Sequence, residues 1–242
     1  MTAHAILQDM SLCMECQACR VACQMQNQLP PEKVFVRFNF KESGSYPNVR
    51  HNIARITCFH CKDAVCVSSC PTGANWKGES GLTHHDPTYC GGCTACVVDC
   101  PFSVPVMQDG KAIRCNGCEA LTENGKAPAC VSTCISGALT YGPRGEMLKR
   151  AEKRVATLRG QGYPRARIYS PQGVGTTGLI WVLRDMPQAY GLPANPKTYG
   201  SLPDLKEIGG ARQAASTAAA LVVGALGWVI ARREQLKEEN RR

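Results

Sequence analysis

The sequence predicts an α+β fold in which two similar cysteine-rich halves are followed by a single apolar helix. Three observations predict it. Sixteen cysteines fall into four groups of four, a short motif recurs, and one uncharged segment near the C-terminus is about long enough to span a bilayer. The recurring motif is CPTGA at 70–74, which returns as CISGA at 134–138. Only 6% of the 242 residues are aromatic, so ordinary side chains would form a thin core.

The four cysteine groups share a compact spacing. The first and third are C-x2-C-x2-C-x3-C, the second is C-x2-C-x4-C-x3-C, and the fourth is C-x2-C-x11-C-x3-C. In chain order they are Cys13, Cys16, Cys19, Cys23; Cys58, Cys61, Cys66, Cys70; Cys90, Cys93, Cys96, Cys100; and Cys115, Cys118, Cys130, Cys134. Four thiolates ligate a cubane [4Fe–4S] cluster, and the first spacing followed by proline is typical of bacterial ferredoxins. The sequence therefore predicts four [4Fe–4S] clusters in two pseudo-symmetric ferredoxin-like units, an arrangement suited to electron transfer.

Two other uses of cysteine are weaker explanations. A disulfide framework is typical of short secreted proteins, and cysteines this close in sequence are poorly placed to pair with one another. Structural zinc uses paired C-x2-C units with a longer gap, and only the fourth group has such a gap. Three ferredoxin-type groups beside it favour a cluster there too.

The basic composition does not indicate a nucleic-acid partner. The formal net charge is +9. Each oxidised cluster with its four thiolates carries a charge of about −2, so four clusters bring the protein close to neutral. We therefore expect no nucleic-acid binding.

The elements of the first 210 residues are predicted from local patterns. Residues 1–145 hold the clusters, with an insertion at 24–57 that contains a strand at 34–40. His60 and the run at 84–86 (HHD) are expected to be loop or turn side chains. A helix is expected over 145–161, with one apolar face: Met147, Leu148, Ala151, Val155, Leu158. The rest of 146–210 is rich in Gly and Pro, so we expect an extended arm with little core that packs on a partner subunit.

Residues 211–231 are predicted to form a single transmembrane helix, since no charge follows Arg212 until Arg232. Ser216, Ala220 and Gly224 would form a small-residue face for packing on another membrane helix. A buried helix that packs on a partner is the alternative. The tail, 232–242, is basic, and the positive-inside rule then predicts a cytoplasmic C-terminus and an extracytoplasmic cluster domain at the inner membrane. No signal segment is visible before Cys13, so a partner with a twin-arginine signal is expected to carry the domain across.

The four motifs in this order resemble the four-cluster iron–sulfur (beta) subunit of membrane-bound molybdenum or tungsten oxidoreductases. The stretch at 168–183 (IYSPQGVGTTGLIWVL), the GLP at 191–193 and a single C-terminal membrane helix resemble respiratory formate dehydrogenase in particular. The resemblance implies that the motifs exchange their last ligands. The implied sets are Cys13, Cys16, Cys19, Cys134 (cluster 1); Cys115, Cys118, Cys130, Cys23 (cluster 2); Cys58, Cys61, Cys66, Cys100 (cluster 3); and Cys90, Cys93, Cys96, Cys70 (cluster 4).

The function implied by the resemblance is electron relay without an independent active site. The partners would be a molybdopterin or tungstopterin catalytic subunit, membrane lipid, and an integral membrane cytochrome b or quinone-binding subunit, with cluster 1 near the first and cluster 4 near the membrane. The alternative is the same role in a polysulfide, thiosulfate or arsenate reductase or a membrane-bound hydrogenase. The sequence contains no P-loop and no Gly-rich dinucleotide fingerprint. A self-contained enzyme with an open iron would need a motif of three cysteines, and each motif has four.

Overall fold

The computed structural model describes residues 3–196 of the protein. The strands are β1 (His4–Asp9), β2 (Arg37–Ser43), β3 (Arg50–Ile56), β4 (Asn75–Lys77), β5 (Thr83–His85), β6 (Val106–Gln108), β7 (Lys111–Ile113), β8 (Leu139–Pro143), β9 (Arg167–Tyr169) and β10 (Leu179–Leu183). The helices are α1 (Ala18–Gln26), α2 (Val65–Ser68), α3 (Ala95–Val98), α4 (Glu119–Thr122), α5 (Ala129–Ser132) and α6 (Arg144–Gly160), followed by a 3₁₀ helix (Pro187–Tyr190). The predicted mixture of helices and strands is confirmed.

Strands from both ends of the described residues form a four-stranded sheet in the order β8-β1-β10-β9. β1 pairs with β10 in parallel, Ile6 opposite Leu179, and with β8 antiparallel, Ile6 opposite Tyr141. The strand before the first cysteine motif is thereby joined to the strand that follows the last motif. The sheet therefore holds the two ends of the cysteine-rich region together.

The helix α6 covers one face of this sheet, as its apolar periodicity predicts. Met147, Ala151, Val155 and Leu158 are buried in one cluster with Ala5, Leu7, Ile180 and Val182 of the sheet. Arg154, on the same helix, donates to Asp9 Oδ2 at 2.8 Å and to Ser11 Oγ, just before the first motif. The helix thus anchors the start of the cysteine-rich region.

The expectation of an arm with little core was wrong for residues 167–183. All five residues of β10 are buried, and Trp181 is 0% exposed at the centre of the larger core cluster. Phe59 stacks on Trp181 with ring centroids 5.7 Å apart. The parallel pairing of β10 with β1 joins segments distant in sequence, so local composition did not indicate it. Whether neighbouring residues contact a partner subunit stays a prediction.

Short hairpins repeat between the motifs and reflect the predicted duplication. β4 pairs with β5 between the second and third motifs, and β6 pairs with β7 between the third and fourth. The 24–57 insertion forms the hairpin β2–β3, whose first strand begins three residues later than predicted, at Arg37. The domain boundaries at 145, 210 and 231 stay predictions.

The expected transmembrane helix at 211–231 and the basic tail at 232–242 lie outside the described residues. Among residues 3–196, no helix combines the length and apolar character needed to cross a membrane.

Candidate metal centres

The backbone of every cysteine motif has the same left-handed residue. The second residue after the first cysteine has a positive φ in all four motifs: Glu15 (60°), His60 (48°), Gly92 (72°) and Gly117 (72°). This conformation turns the backbone so that its N–H groups face the sulfur side of the loop. The His60 amide donates to Cys58 Sγ at 3.4 Å, and the Gly117 amide donates to Cys115 Sγ at 3.4 Å. These loops therefore provide N–H donors for thiolates, as cluster loops do.

Gly92 is the motif position where a side chain has least room. A Cβ built there would lie 2.3 Å from the carbonyl oxygen of Gly110, and the φ of Gly92 is +72°. The short distance excludes an ordinary L residue without movement of the backbone, and the positive φ adds strain. The β6–β7 turn at Gly110 therefore lies directly against the third cysteine loop.

Three of the four predicted ligand sets line cavities. Site 1 is Cys13, Cys16, Cys19 and Cys134. Site 3 is Cys58, Cys61, Cys66 and Cys100. Site 4 is Cys70, Cys90, Cys93 and Cys96. In each set, the last cysteine of one motif faces the first three of another.

Site 2 consists of Cys23, Cys115, Cys118 and Cys130. Burial raises the pKa of the Cys23 thiol, and the adjacent Cys115, Cys130 and Cys118 thiolates raise it further. Cys134 lies instead with site 1, where burial raises the pKa of Cys13 and the charge of Cys134 raises it further. The fourth motif is therefore divided between two sites, which is not the arrangement of a self-contained zinc site.

The protonation of the thiols depends strongly on their surroundings. Burial raises the pKa of Cys118 to about 12 and that of Cys96 to about 11. Burial would also raise the pKa of Cys58, but His60 and Arg114 lower it below its ordinary value. Most of these thiols must release a proton when iron binds, so cluster assembly is coupled to deprotonation.

The cavities and two buried N–H groups beside them fit a cluster. Within residues 3–196, no group of three or more His, Cys, Asp or Glu side chains is arranged to hold a metal ion. In sites 1, 3 and 4 the thiols surround a cavity instead. Arg55 Nε and Arg114 Nε are buried there and have no hydrogen-bond partner among the described residues. A buried N–H without an acceptor costs about 1–3 kcal/mol, and the sulfurs of a bound cluster would supply acceptors.

Two arginines beside the sites were missed from the sequence. Arg114 donates to Cys66 Sγ and Cys58 Sγ, each at 3.0 Å, and Arg55 lines the cavity of site 1. Both are 2% exposed. A lone arginine at the end of an apolar stretch (AIR at 112–114, IAR at 53–55) was the available signal. A buried arginine requires anionic partners, and the cysteine loops are the anions at hand.

The histidines at 84 and 85 are not the polar turn that the sequence suggested. They lie in β5 and are buried. The Nε2 atom of His84 is 2.8 Å from Glu123 Oε1, and its Nδ1 atom is 2.7 Å from the Asn116 carbonyl oxygen. His85 contacts Asn75 Oδ1 and the Ala112 carbonyl oxygen. Both rings therefore support the cysteine loops, and His84 fixes the loop of the fourth motif.

Known proteins with related sequences identify the type of domain. Residues 49–144 match the family model of the 4Fe-4S dicluster domain, which spans the second to fourth motifs. The sequence is 35% identical over 215 residues to the "Formate dehydrogenase, nitrate-inducible, iron-sulfur subunit" of Escherichia coli (strain K12), covering 80% of this protein and 73% of the relative.

Two further relatives match a shorter part. The sequence is 40% identical over 144 residues to the "Thiosulfate reductase electron transfer subunit PhsB" of Salmonella typhi, covering 57% of this protein and 75% of the relative. It is 33% identical over 159 residues to a subunit of the anaerobic dimethyl sulfoxide reductase of Escherichia coli (strain K12), covering 62% and 78%. With the sixteen cysteines, these matches show that the cofactors are [4Fe–4S] clusters.

Proposed function

The protein is a member of the family of iron–sulfur subunits of oxidoreductase complexes, and we propose that it relays electrons between a catalytic subunit and a membrane subunit. It is a redox subunit and carries no independent active site. When bound, the clusters supply one-electron redox chemistry. The residues of this protein hold the clusters, exclude water from them and donate hydrogen bonds to their thiolates.

We assign one cluster to each of sites 1 to 4. The shared cavities, the N–H donors in the loops and the unpaired arginine N–H groups support this assignment. Exchange of the last ligand would bring clusters 1 and 2 close together, and likewise clusters 3 and 4. α1 carries Cys19 of site 1 and Cys23 of site 2 on one helix. Between sites 3 and 4 two helices are in contact: α2, which carries Cys66 of site 3, packs against α3, which carries Cys96 of site 4.

The exposure of the two end sites carries the proposal. Cys16 of site 1 and Cys93 of site 4 are exposed, whereas every cysteine of sites 2 and 3 is buried or half-buried. A relay needs accessible ends and protected middle positions. The order of sites 1, 2, 3 and 4 therefore gives electrons one entrance and one exit.

Apolar side chains surround both ends and are suited to partner docking. Met14 is 60% exposed beside site 1, and Val98 is 75% exposed beside site 4. We place the catalytic subunit at site 1 and the membrane cytochrome b or quinone-binding subunit at site 4. Exposed apolar side chains that cluster at one place on a surface mark sites of protein–protein contact, and here they lie next to the redox sites.

We propose that the catalytic subunit is a molybdopterin or tungstopterin formate dehydrogenase. The similarity to the formate dehydrogenase subunit extends over 215 residues and includes residues beyond the cysteine motifs. The similarity to the thiosulfate reductase subunit covers only 144 residues, although the identity there is higher, at 40%. Thiosulfate reduction is therefore the second candidate. The relay within this protein would be the same, but its partner subunits would differ.

We propose a single-pass location in the inner membrane, with the cluster domain outside the cytoplasm. The uncharged run at 211–231 and the arginines and lysine of 232–242 support it. A reporter enzyme fused after Arg242 should be active on the cytoplasmic side, and one fused before Met1 on the outer side. The opposite pattern would refute the orientation.

Capture of the complex tests the function. The tagged protein should be isolated anaerobically from detergent-solubilised membranes, and the eluate assayed for formate-dependent dye reduction and for molybdenum and tungsten. We expect formate oxidation together with one of these metals. Cys93→Ser is the matched variant, since it changes the distal site and should keep the dye activity. Thiosulfate reductase activity without formate oxidation would show that the catalytic subunit acts on thiosulfate instead of formate. An eluate with neither metal would contradict a pterin partner.

A further inference from the structure

Three buried side chains with nitrogen donors lie at the three junctions between neighbouring sites. Arg55 lines the cavity of site 1, and its charge also acts on Cys130 of site 2. His60 contacts Cys115 of site 2 and Cys58 of site 3. Arg114 contacts Cys58 and Cys66 of site 3, and its charge also acts on Cys96 of site 4. We propose that these residues set the reduction potentials of the clusters on either side of each junction. The inference rests on the proposed assignment of one cluster to each site.

Arg114 contacts the ligands of site 3 and acts on site 4. Its Nη2 donates to Cys58 Sγ and its Nη1 to Cys66 Sγ, each at 3.0 Å. Burial raises the pKa of Cys96 in site 4, and the charge of Arg114 opposes that rise. Burial alone would lower the pKa of Arg114, but the thiolates of Cys58 and Cys66 raise it above its ordinary value. Arg114 therefore stays charged beside both sites.

Arg55 occupies the equivalent place between sites 1 and 2. It lines the cavity of site 1, and its Nη1 donates to Gln8 Oε1 at 2.9 Å. Gln8 Nε2 donates back to the Arg55 carbonyl oxygen at 3.0 Å, so the guanidinium is held from β1. Burial would lower the pKa of Arg55, but the thiolates of Cys130 in site 2 and Cys19 in site 1 raise it.

His60 joins sites 2 and 3 through two donors. Its amide reaches Cys58 Sγ at 3.4 Å, and its Nε2 atom is 3.8 Å from Cys115 Sγ. Burial lowers the pKa of His60, whereas the thiolates of Cys58 and Cys115 raise it. The Thr83 amide donates to the Nδ1 atom at 3.0 Å, and this contact requires an unprotonated Nδ1. The ring in this geometry is therefore neutral, and its proton lies on Nε2 and faces Cys115. A neutral donor lies here, whereas the other two junctions hold full charges.

Charge explains why these groups change potentials. Bound clusters would exchange single electrons, one reduced and one oxidised at each step, with no bond broken. The receiving cluster with its thiolates changes from a charge of about −2 to about −3. A guanidinium buried beside it favours the more negative state, and the effect is large because burial reduces screening. Hydrogen bonds to the thiolates act in the same direction.

Redox titration of the anaerobic complex, followed by electron paramagnetic resonance, tests the proposal. The variants are Arg55→Gln and Arg114→Gln, and Arg150→Gln, exposed on α6, is the control for the lost charge. Cys16→Ser and Cys93→Ser assign the signals of sites 1 and 4. Arg114→Gln should lower the reduced-to-oxidised ratio of sites 3 and 4 about tenfold at a fixed potential. For a one-electron couple this corresponds to a midpoint potential about 59 mV lower. Arg55→Gln should do the same at sites 1 and 2.

Iron content separates the outcomes. Unchanged potentials in variants with full iron would overturn the proposal. If Arg114→Gln loses iron, Arg114→Lys decides, because it keeps the charge but cannot bond both sulfurs. It should retain iron and lower the reduced-to-oxidised ratio at sites 3 and 4 by less than tenfold, because the charge is kept. A lowering of tenfold or more, or a shift confined to sites 1 and 2, would refute the inference. Loss of iron from this variant too would assign Arg114 to holding the cluster rather than setting its potential, and would also refute it. A wild-type protein without four clusters would instead refute the proposed function.

Discussion

The Nε2 atom of His60 lies 3.8 Å from Cys115 Sγ, although the two residues are 55 positions apart in the sequence. This contact joins the second cysteine motif to the fourth, and so links the pair of sites 1 and 2 to the pair of sites 3 and 4. His60 is 1% exposed, and its left-handed backbone places the amide on Cys58 at the same time. One residue therefore contacts a proposed ligand in each half.

Replacing His60 with two different amides separates its two contacts. In His60→Asn the side-chain oxygen can replace Nδ1 as the acceptor for Thr83, but no donor reaches Cys115. In His60→Gln the amide nitrogen can replace Nε2. We expect a lower midpoint potential of site 2 in the Asn variant than in the Gln variant, because a donor to a thiolate favours the reduced cluster. Redox titrations of the two variants measure the midpoint potential of site 2. Equal potentials would mean that the contact of His60 with Cys115 does not affect it.

Gly92→Ala should damage site 4 selectively. The new methyl group would meet the Gly110 carbonyl oxygen at 2.3 Å, so the cysteine loop must move. Gly162→Ala is the matched control, because Gly162 has a φ of +89° but no atom within 4 Å of a built Cβ. The left-handed backbone costs both variants about 1 kcal/mol. Only Gly92→Ala should lose about a quarter of the iron, and loss from both would mean that strain alone is responsible.

Leu158→Ala should weaken the packing of α6 without changing the clusters. Leu158 is 1% exposed against the sheet, and such truncations cost about 2–5 kcal/mol. For a protein of this size the unfolding midpoint should fall by at least about 4 °C. Lys149→Ala, on the exposed face, should change it little. Circular dichroism follows unfolding, and the visible absorption spectrum follows the clusters. An altered visible spectrum in the folded Leu158→Ala variant would contradict the expectation that the clusters do not depend on this packing.

Cys93→Ser should uncouple the two ends of the relay. Cys93 is exposed in site 4, which we place next to the membrane subunit. Quinone-linked turnover of the complex should be lost, whereas formate-dependent dye reduction near site 1 should survive. Cys16→Ser in site 1 provides the comparison, and should impair both activities if dye accepts electrons after site 1. Equal loss of both activities in Cys93→Ser would contradict the proposed order of sites.

The cysteine spacing carried most of the information about the sites. Local motifs and helix periodicity depend on neighbouring residues, so the cysteine groups and the apolar face of α6 could be predicted. The parallel pairing of β10 with β1 could not, because no local pattern marks Ile6 as the partner of Leu179. Arg55 and Arg114 were missed for a related reason. Their burial depends on anionic loops that come from distant parts of the sequence.

The central claim, a relay of four clusters, is tested most directly by the metal content of the anaerobically purified wild-type protein. Iron and acid-labile sulfide should be counted per molecule, together with zinc, and the spins of the fully reduced protein integrated. The account predicts about sixteen iron and sixteen sulfide atoms, no zinc, and signals from four clusters. About twelve iron atoms with one zinc, or about eight iron atoms, would contradict it.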